Sequence, residues 1–173
     1  MLTKLYASVS LNGQLLVQEK RLTSPPAALM MDFMQHVHRA GNMIMGRKTA
    51  LSLIGNAQVL ESFSGVHIVV LSNQLPGDHF CAVVRTPEAA LRHLKARGFK
   101  TAFIAGGADT YNSFLTHDLV DELIVNISPE ITTNGIPWVS RPDFSLQFGL
   151  EEMKMINASI SQLRFRKQRV FIL

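Results

Sequence analysis

The chain has 173 residues, 47% hydrophobic and 17% charged, with a net charge of +4 and a sequence pI near 9.5. A domain of this size buries roughly 70% of the surface its unfolded chain exposes, so it needs neither a metal nor a disulfide to hold it together. No apolar run approaches the roughly 20 residues that cross a bilayer, and the start "MLTKLYASVS" lacks a signal-peptide plan. The single cysteine, Cys81, cannot form an internal disulfide and reads as a core residue in a reducing compartment, so a cytoplasmic location is expected. The cations are scattered apart from "LRFRKQR" at 163–169, where Arg164 and Arg166 alternate with Leu163 and Phe165. That is the pattern of a strand with one wet face, and neither nucleic acid nor membrane is expected as a partner.

In chain order, "KLYASVSL" reads as a strand, followed by a helix over 26–39, the strand "NMIMG", a short helix and the strand "HIVVLS". Then come "CAVV", a helix over 87–97, the strand "TAFIAG", a helix over about 108–116, the strand "ELIVNIS", and two late strands near 145–155 and 159–168. Ser24 before Pro25 and Pro26, and Thr86 before Pro87, are N-cap signals with first-turn prolines; Gly98 after "LKAR" is a helix stop. The alternation predicts a three-layer α/β/α domain spanning residues 1–173 with a mainly parallel central sheet. The last two strands, read with only "NA" between them, form an antiparallel C-terminal edge hairpin. No repeat, low-complexity segment or linker divides the chain.

Open α/β sheets bind ligands at the carboxyl ends of their strands, where helix N-termini gather. Two glycine-marked junctions of that kind are present. In "IMGRKT", Gly46 lets backbone approach a ligand, and the helix opening at Arg47 offers free N–H groups beside Arg47, Lys48 and the Thr49 hydroxyl, a set suited to phosphate. In "FIAGGADTYNSFL", a strand runs into Gly106-Gly107 and a second helix opens. Each junction is a common turn when taken singly; together they suggest a dinucleotide between two helix N-termini. The fingerprint G-x-G-x-x-G is absent, and "HIVVLS" ends in Ser72-Asn73 with no carboxylate until Asp78. Hydroxyl, amide and cations favour a 2′-phosphate, hence NADPH over NADH.

The blocks "ASVSLNG", "IMGRKT", "IVVLS", "FIAGGADTYNSFL" and "LVDELIVNISPEI", in this order and spacing, resemble the dihydrofolate-reductase-like superfamily. The likeness is greatest to its riboflavin-biosynthesis branch, the reductase domain of the bifunctional deaminase/reductase, and it runs over nearly the whole chain. It implies an NADPH-dependent oxidoreductase transferring hydride to a small heterocycle, most like 5-amino-6-(5-phosphoribosylamino)uracil. By the same resemblance Ala7 offers backbone atoms to the nicotinamide amide. Gly46, Arg47, Lys48 and Thr49 hold phosphates, Leu71 and Ser72 border the adenosine half, and Gly106, Gly107, Ala108 and Asp109 line the pyrophosphate, with Thr110 and Tyr111 near the first turn. Ser8, Asn12 and Met30 are candidate substrate contacts. The alternatives are a dihydrofolate or pterin reductase and a nucleotide-binding protein without turnover.

Three departures bear on the substrate side. The helix position where folate reductases carry a carboxylate falls here at Leu29 or Met30. The nearest acid, Asp32, shares an i, i+3, i+4, i+7 stripe with Gln35, His36 and Arg39 and is expected in solvent, so that Asp32→Asn changes binding and rate less than about twofold. Asn12-Gly13 replaces an Asp-Gly pair, and the turn after "SP" is reduced to "TTNG" at 132–135. No proton donor can be named from these residues. No spacing of Cys, His and Asp suggests a metal, Trp138 reads as a packing residue, and the late edge strands suit a homodimer.

Overall fold

The computed structural model describes residues 1–16, 25–74, 81–140 and 144–168. Its elements run β1 (Leu2–Ser10), β2 (Gln14–Leu15), α1 (Ala27–Ala40), β3 (Asn42–Gly46), α2 (Arg47–Ile54), α3 (Ala57–Glu61), β4 (His67–Leu71) and β5 (Ala82–Val84). There follow α4 (Pro87–Ala96), β6 (Thr101–Gly106), α5 (Ala108–Thr116), β7 (Glu122–Ser128), β8 (Ile136–Pro137), β9 (Phe148–Met155) and β10 (Ser161–Lys167). The main sheet has the order β5-β4-β3-β6-β1-β7-β10-β9, with β2 and β8 off this path beside β1. The first six of these strands are parallel, and β10 and β9 close one edge antiparallel. The expected architecture is therefore the observed one.

Strand alternation divides the core in two. Leu5, Ala7 and Val9 of β1, Ile44, Ile104 and Val125 face α4 and α5, where Leu94, Tyr111 and Phe114 meet them. Tyr6, Met43, Met45, Phe103 and Ile124 face the other way, against Leu29 and Val37 of α1 and Ala50 and Leu53 of α2. Phe103 and Phe114, 1% and 0% exposed, are the largest fully buried side chains among the described residues; each contributes roughly 2–3 kcal/mol by leaving water. Asn42, 0% exposed, joins α1 to the sheet: its Nδ2 donates to the Ala40 and Thr101 carbonyls at 2.9 and 2.7 Å, and its Oδ1 accepts from Phe103 N–H at 3.2 Å.

Helix ends follow local chemistry. Thr86 caps α4 by accepting from Ala89 N–H with Pro87 in the first turn, and Gly98, at φ +82°, ends it. At α1 the cap differs from expectation. Pro26 itself is the N-cap, one position before the first turn, and Ser24 lies outside the described residues, as do Asp78 and Arg169. The hairpin loop is also longer than the expected two residues: 156–160 separate β9 from β10, with Asn157 Oδ1 accepting from Ser159 and Ile160 N–H. Arg164 and Arg166, with side chains 41% and 55% exposed, lie on an open face as the alternation predicts and are ion-paired there, Arg164 with Glu151 and Glu152, and Arg166 with Glu151 and the buried Glu122. Lys4 meets the other Glu122 oxygen at 2.8 Å as an ion pair without hydrogen-bond alignment.

Candidate functional site

The two glycine junctions lie side by side. β3 passes through Gly46 into α2 and β6 through Gly106-Gly107 into α5; β3 and β6 are neighbours, with Met45 opposite Gly106. Gly46 and Gly107 are the N-caps, and neither helix has a side-chain cap, which leaves first-turn N–H groups for another acceptor. A Cβ on Gly46 would fall 2.8 Å from Thr110 Oγ1, and one on Gly107 3.5 Å from Thr49 Oγ1. Each glycine thus faces the threonine of the opposite helix, and two positive dipole ends converge at one point. Arg47 and Thr49 are half-buried here, and Lys48 is exposed. Among the described residues neither Arg47 nor Lys48 has an ion-pair partner.

The positive φ sits at Gly106, +139°, and not at Gly107, whose φ is −64°. Beside Gly106 the Tyr111 hydroxyl, buried and pushed up in pKa by that burial, donates to the Tyr6 carbonyl at 2.6 Å. Tyr111 therefore straps α5 to β1, and Thr110, 3% exposed, is held against Gly46. Ala108 is half-buried and Asp109 exposed at the same helix start, while Leu71 and Ser72 lie at the end of β4 beside the other junction, with Gly46 opposite Leu71.

Next to this point the sheet parts. β1 pairs with β6 only as far as Leu5 and Ile104, whereas its pairing with β7 continues to Ser10 and Ser128. The two adjacent parallel strands thus diverge over Tyr6 to Ser8, and the Tyr111 hydroxyl donates to the Tyr6 carbonyl at the point of divergence. Ala7, 1% exposed, lies within this stretch, with its carbonyl accepting from Asn126 Nδ2 at 3.2 Å.

On the substrate side the structure corrects one expectation and places three others. Asp32 does not lie in solvent. Its side chain is 11% exposed and accepts from Tyr6 Oη at 3.1 Å, Gln162 Nε2 at 2.7 Å and Lys154 Nζ at 2.9 Å. The stripe turned inward because β1, β9 and β10 present polar side chains on the face α1 covers. Burial pushes the Asp32 carboxyl up, but donation from Lys154 and Gln162 and the charges of Lys154 and His36 outweigh it and hold it below the ordinary range. Burial lowers His36, 3.7 Å from Asp32, against the carboxylate's pull. Asn12 faces protein: it accepts from Ser10 Oγ and Thr132 N–H and donates to the Thr132 carbonyl, so it pins the shortened "TTNG" turn. Met30 is 41% exposed on α1, Ser8 is half-buried on β1, and Trp138 packs against the core.

A shallow cleft of about 290 Å3 lies between the start of α1 and the end of β7, lined by Pro26, Ser128, Glu130 and Asn157. A larger hollow of about 380 Å3 sits at the opposite end of the sheet, beside Met1, Leu2 and Asp121, away from both junctions. Among the described residues no group of three or more His, Cys, Asp or Glu is placed to hold a metal ion, and no helix is long and apolar enough to cross a membrane.

A mainly parallel sheet with an antiparallel terminal hairpin and paired strand–glycine–helix junctions defines a dihydrofolate-reductase-like domain. The chain belongs to the RibD C-terminal domain family, whose model matches residues 7–161. That family is one of reductases, generally NAD(P)H-dependent. The fold is shared with a putative riboflavin biosynthesis protein from Shewanella sp. PV-4, at 22% identity and a TM-score of 0.79, covering 98% of this chain and 100% of that one. A pyrimidine reductase-like protein from Corynebacterium diphtheriae follows at 16% and 0.77, covering 97% and 92%. Acinetobacter baumannii RibD matches at 18% and 0.74 over 97% of this chain, which spans 58% of that longer protein. No curated protein matches the chain significantly.

Proposed function

We propose that the protein is an NADPH-dependent reductase of a small heterocyclic substrate, most like the 5-amino-6-(5-phosphoribosylamino)uracil reductase of riboflavin biosynthesis, working in the cytoplasm as a single domain over residues 1–173. The carrying observation is the pair of uncapped helix N-termini, each glycine facing the other helix's threonine, beside the point where β1 and β6 diverge. The residues fit the cofactor, because a Cβ at Gly46 would fill the narrowest point of this cradle. Gly46, Arg47, Lys48, Thr49, Gly106, Gly107, Ala108 and Asp109 would hold its phosphates, with Leu71 and Ser72 beside the adenosine and Ala7 beside the nicotinamide. When bound, NADPH supplies the hydride. The chain orients it and, through the Tyr111 strap, keeps β1 at a fixed distance from α5. The pterin-reductase reading gains no free carboxylate, since three donors already occupy Asp32.

Arg47 and Lys48 should favour the 2′-phosphorylated cofactor. A charge-assisted contact to that phosphate contributes on the order of 1.5–3 kcal/mol, a tenfold preference or more. Calorimetric titration is expected to show NADPH binding at least about tenfold tighter than NADH, with Arg47→Ala reducing the gap. Equal or tighter NADH binding overturns the assignment. Turnover of the aminopyrimidine substrate against dihydrofolate then separates the two reductase classes.

The protein is further proposed to be a homodimer joined through its edge hairpin. Leu150, Met153 and Met155 of β9 are 58%, 69% and 59% exposed, an apolar row on an outermost strand. Light scattering should give twice the chain mass for the wild type and the monomer mass for Met153→Lys. A monomeric wild type at tens of micromolar rules the interface out.

A further inference from the structure

Four polar side chains on the α1 face of the sheet form a chain whose hydrogen-bond directions are fixed at both ends, by the Asp32 carboxylate and by the Ala7 carbonyl. It begins at Asp32, whose ionised carboxylate can only accept. Gln162 Nε2 lies 2.7 Å from Asp32 Oδ2 and 2.8 Å from Asn126 Oδ1, so the amide must turn its NH2 toward both. Asn126 Oδ1 therefore accepts, and its Nδ2 points the other way, to the Ala7 carbonyl at 3.2 Å and, in a longer contact, to Ser8 Oγ at 3.4 Å. Gln162 and Asn126 are 5% and 0% exposed, so water does not compete for these bonds. Asp32 is held in place from three more sides, by Tyr6 on β1, Lys154 on β9 and His36 on α1.

From this geometry we infer that Asp32, acting through Gln162 and Asn126, is a positioning residue that fixes the Ser8 hydroxyl as a hydrogen-bond donor toward a bound heterocycle. Ser8 receives Asn126 on one lone pair, and its own proton has no acceptor among the described residues. It is half-buried and lies on β1 past the last β1–β6 pair, where the strands part. The ring atom it meets must then be an acceptor, a carbonyl oxygen or an unprotonated ring nitrogen, and an amino group at that position is disfavoured. The same Asn126 amide holds the Ala7 carbonyl, so one relay orients neighbouring positions on β1. This inference rests on the reductase reading for the identity of the ligand but not for the direction of the relay.

The relay makes a prediction that a merely structural role does not. Asp32→Asn keeps the shape but leaves one oxygen to serve Tyr6, Gln162 and Lys154, so the Gln162 amide is held less firmly and the Asn126–Ser8 contact loosens, while the Ala7 carbonyl keeps the Asn126 NH2 on its side. NADPH-loaded protein would be assayed with 5-amino-6-(5-phosphoribosylamino)uracil. Ser8→Ala and Asp32→Asn are each expected to raise KM about tenfold with kcat within about twofold, the loss of one neutral hydrogen bond to ligand. In the double variant the second change should add nothing. Side-chain amide NMR of the ligand-free protein should show the Gln162 NH2 protons fixed between Asp32 and Asn126 in the wild type and released in Asp32→Asn. If Asp32→Asn does not fold, Gln162→Leu breaks the chain one link further on and is read the same way. Additive losses in the double variant, or a Gln162 amide unchanged in Asp32→Asn, overturn the relay. Absence of NADPH binding in the wild type overturns the reductase reading instead and leaves the NMR result to decide the relay.

Discussion

Gly107→Val is expected to weaken NADPH binding by at least about a hundredfold, roughly 2.7 kcal/mol, while the protein stays folded. At φ −64° and ψ −173° the backbone of Gly107 suits any residue, and a Cβ there makes ordinary contact with Thr49 Oγ1 at 3.5 Å. What the side chain fills is the space where the two helix N-termini meet, which a phosphate must enter. Gly106→Ala should do the reverse. Its φ of +139° strains any L side chain, and its Cβ would press on the Tyr111 hydroxyl at 3.2 Å. Backbone strain of about 1–3 kcal/mol together with a loosened buried hydrogen bond lowers Tm by about 5–15 °C. Thermal melts and calorimetric titration on the same preparations check both. A Gly107→Val protein that melts normally and binds NADPH normally would remove this junction from the cofactor site.

The second large effect is on folding. Asn42→Leu should destabilise the protein by roughly 3–6 kcal/mol, because it leaves the Ala40 and Thr101 carbonyls and the Phe103 N–H without their partner in a fully buried position. Against a total stability of about 5–15 kcal/mol, that is a large share. The measurement is the urea midpoint at unchanged m value. A shift worth less than about 1 kcal/mol would mean that water or a rearranged side chain replaces all three bonds.

The elements and both glycine junctions could be read from the chain because the signals are local. Gly46 and Gly106-Gly107 stand where a period-two run gives way to a helical one, and Thr86-Pro87 and Gly98 mark the ends of α4. That the junctions meet follows from strand order, which α/β connection rules narrow but do not dictate. Asp32 was misread for a related reason. A stripe of Asp32, Gln35, His36 and Arg39 looks wet on an isolated helix, and only the polar faces of β1, β9 and β10 turn part of it inward. The clue available was Tyr6, Ser8 and Ser10, polar groups at alternate positions of a central strand. They mark a buried face with hydrogen bonds to satisfy. The pairing of Asn12 with Thr132 was not legible either, because Thr132 lies too far along the chain for any local pattern to join them. α3, β2 and β8 are too short to carry a period at all.

The place of β1 in the sheet also governs the order in which the molecule can be assembled. It is synthesised well before its long partners on either side, which begin at Thr101 and Glu122. A growing chain on the ribosome must therefore carry "LTKLYASVS", apart from the Val9–Leu15 pair with β2, unpaired until β6 and β7 have emerged. Closing such distant contacts is entropically slow. During that interval the segment is a template for pairing with other chains, and chaperone dependence and aggregation at high expression rates are the expected result. Slowing translation downstream of β7 would lengthen the time available for β1 to find β6 and β7 before the edge hairpin arrives.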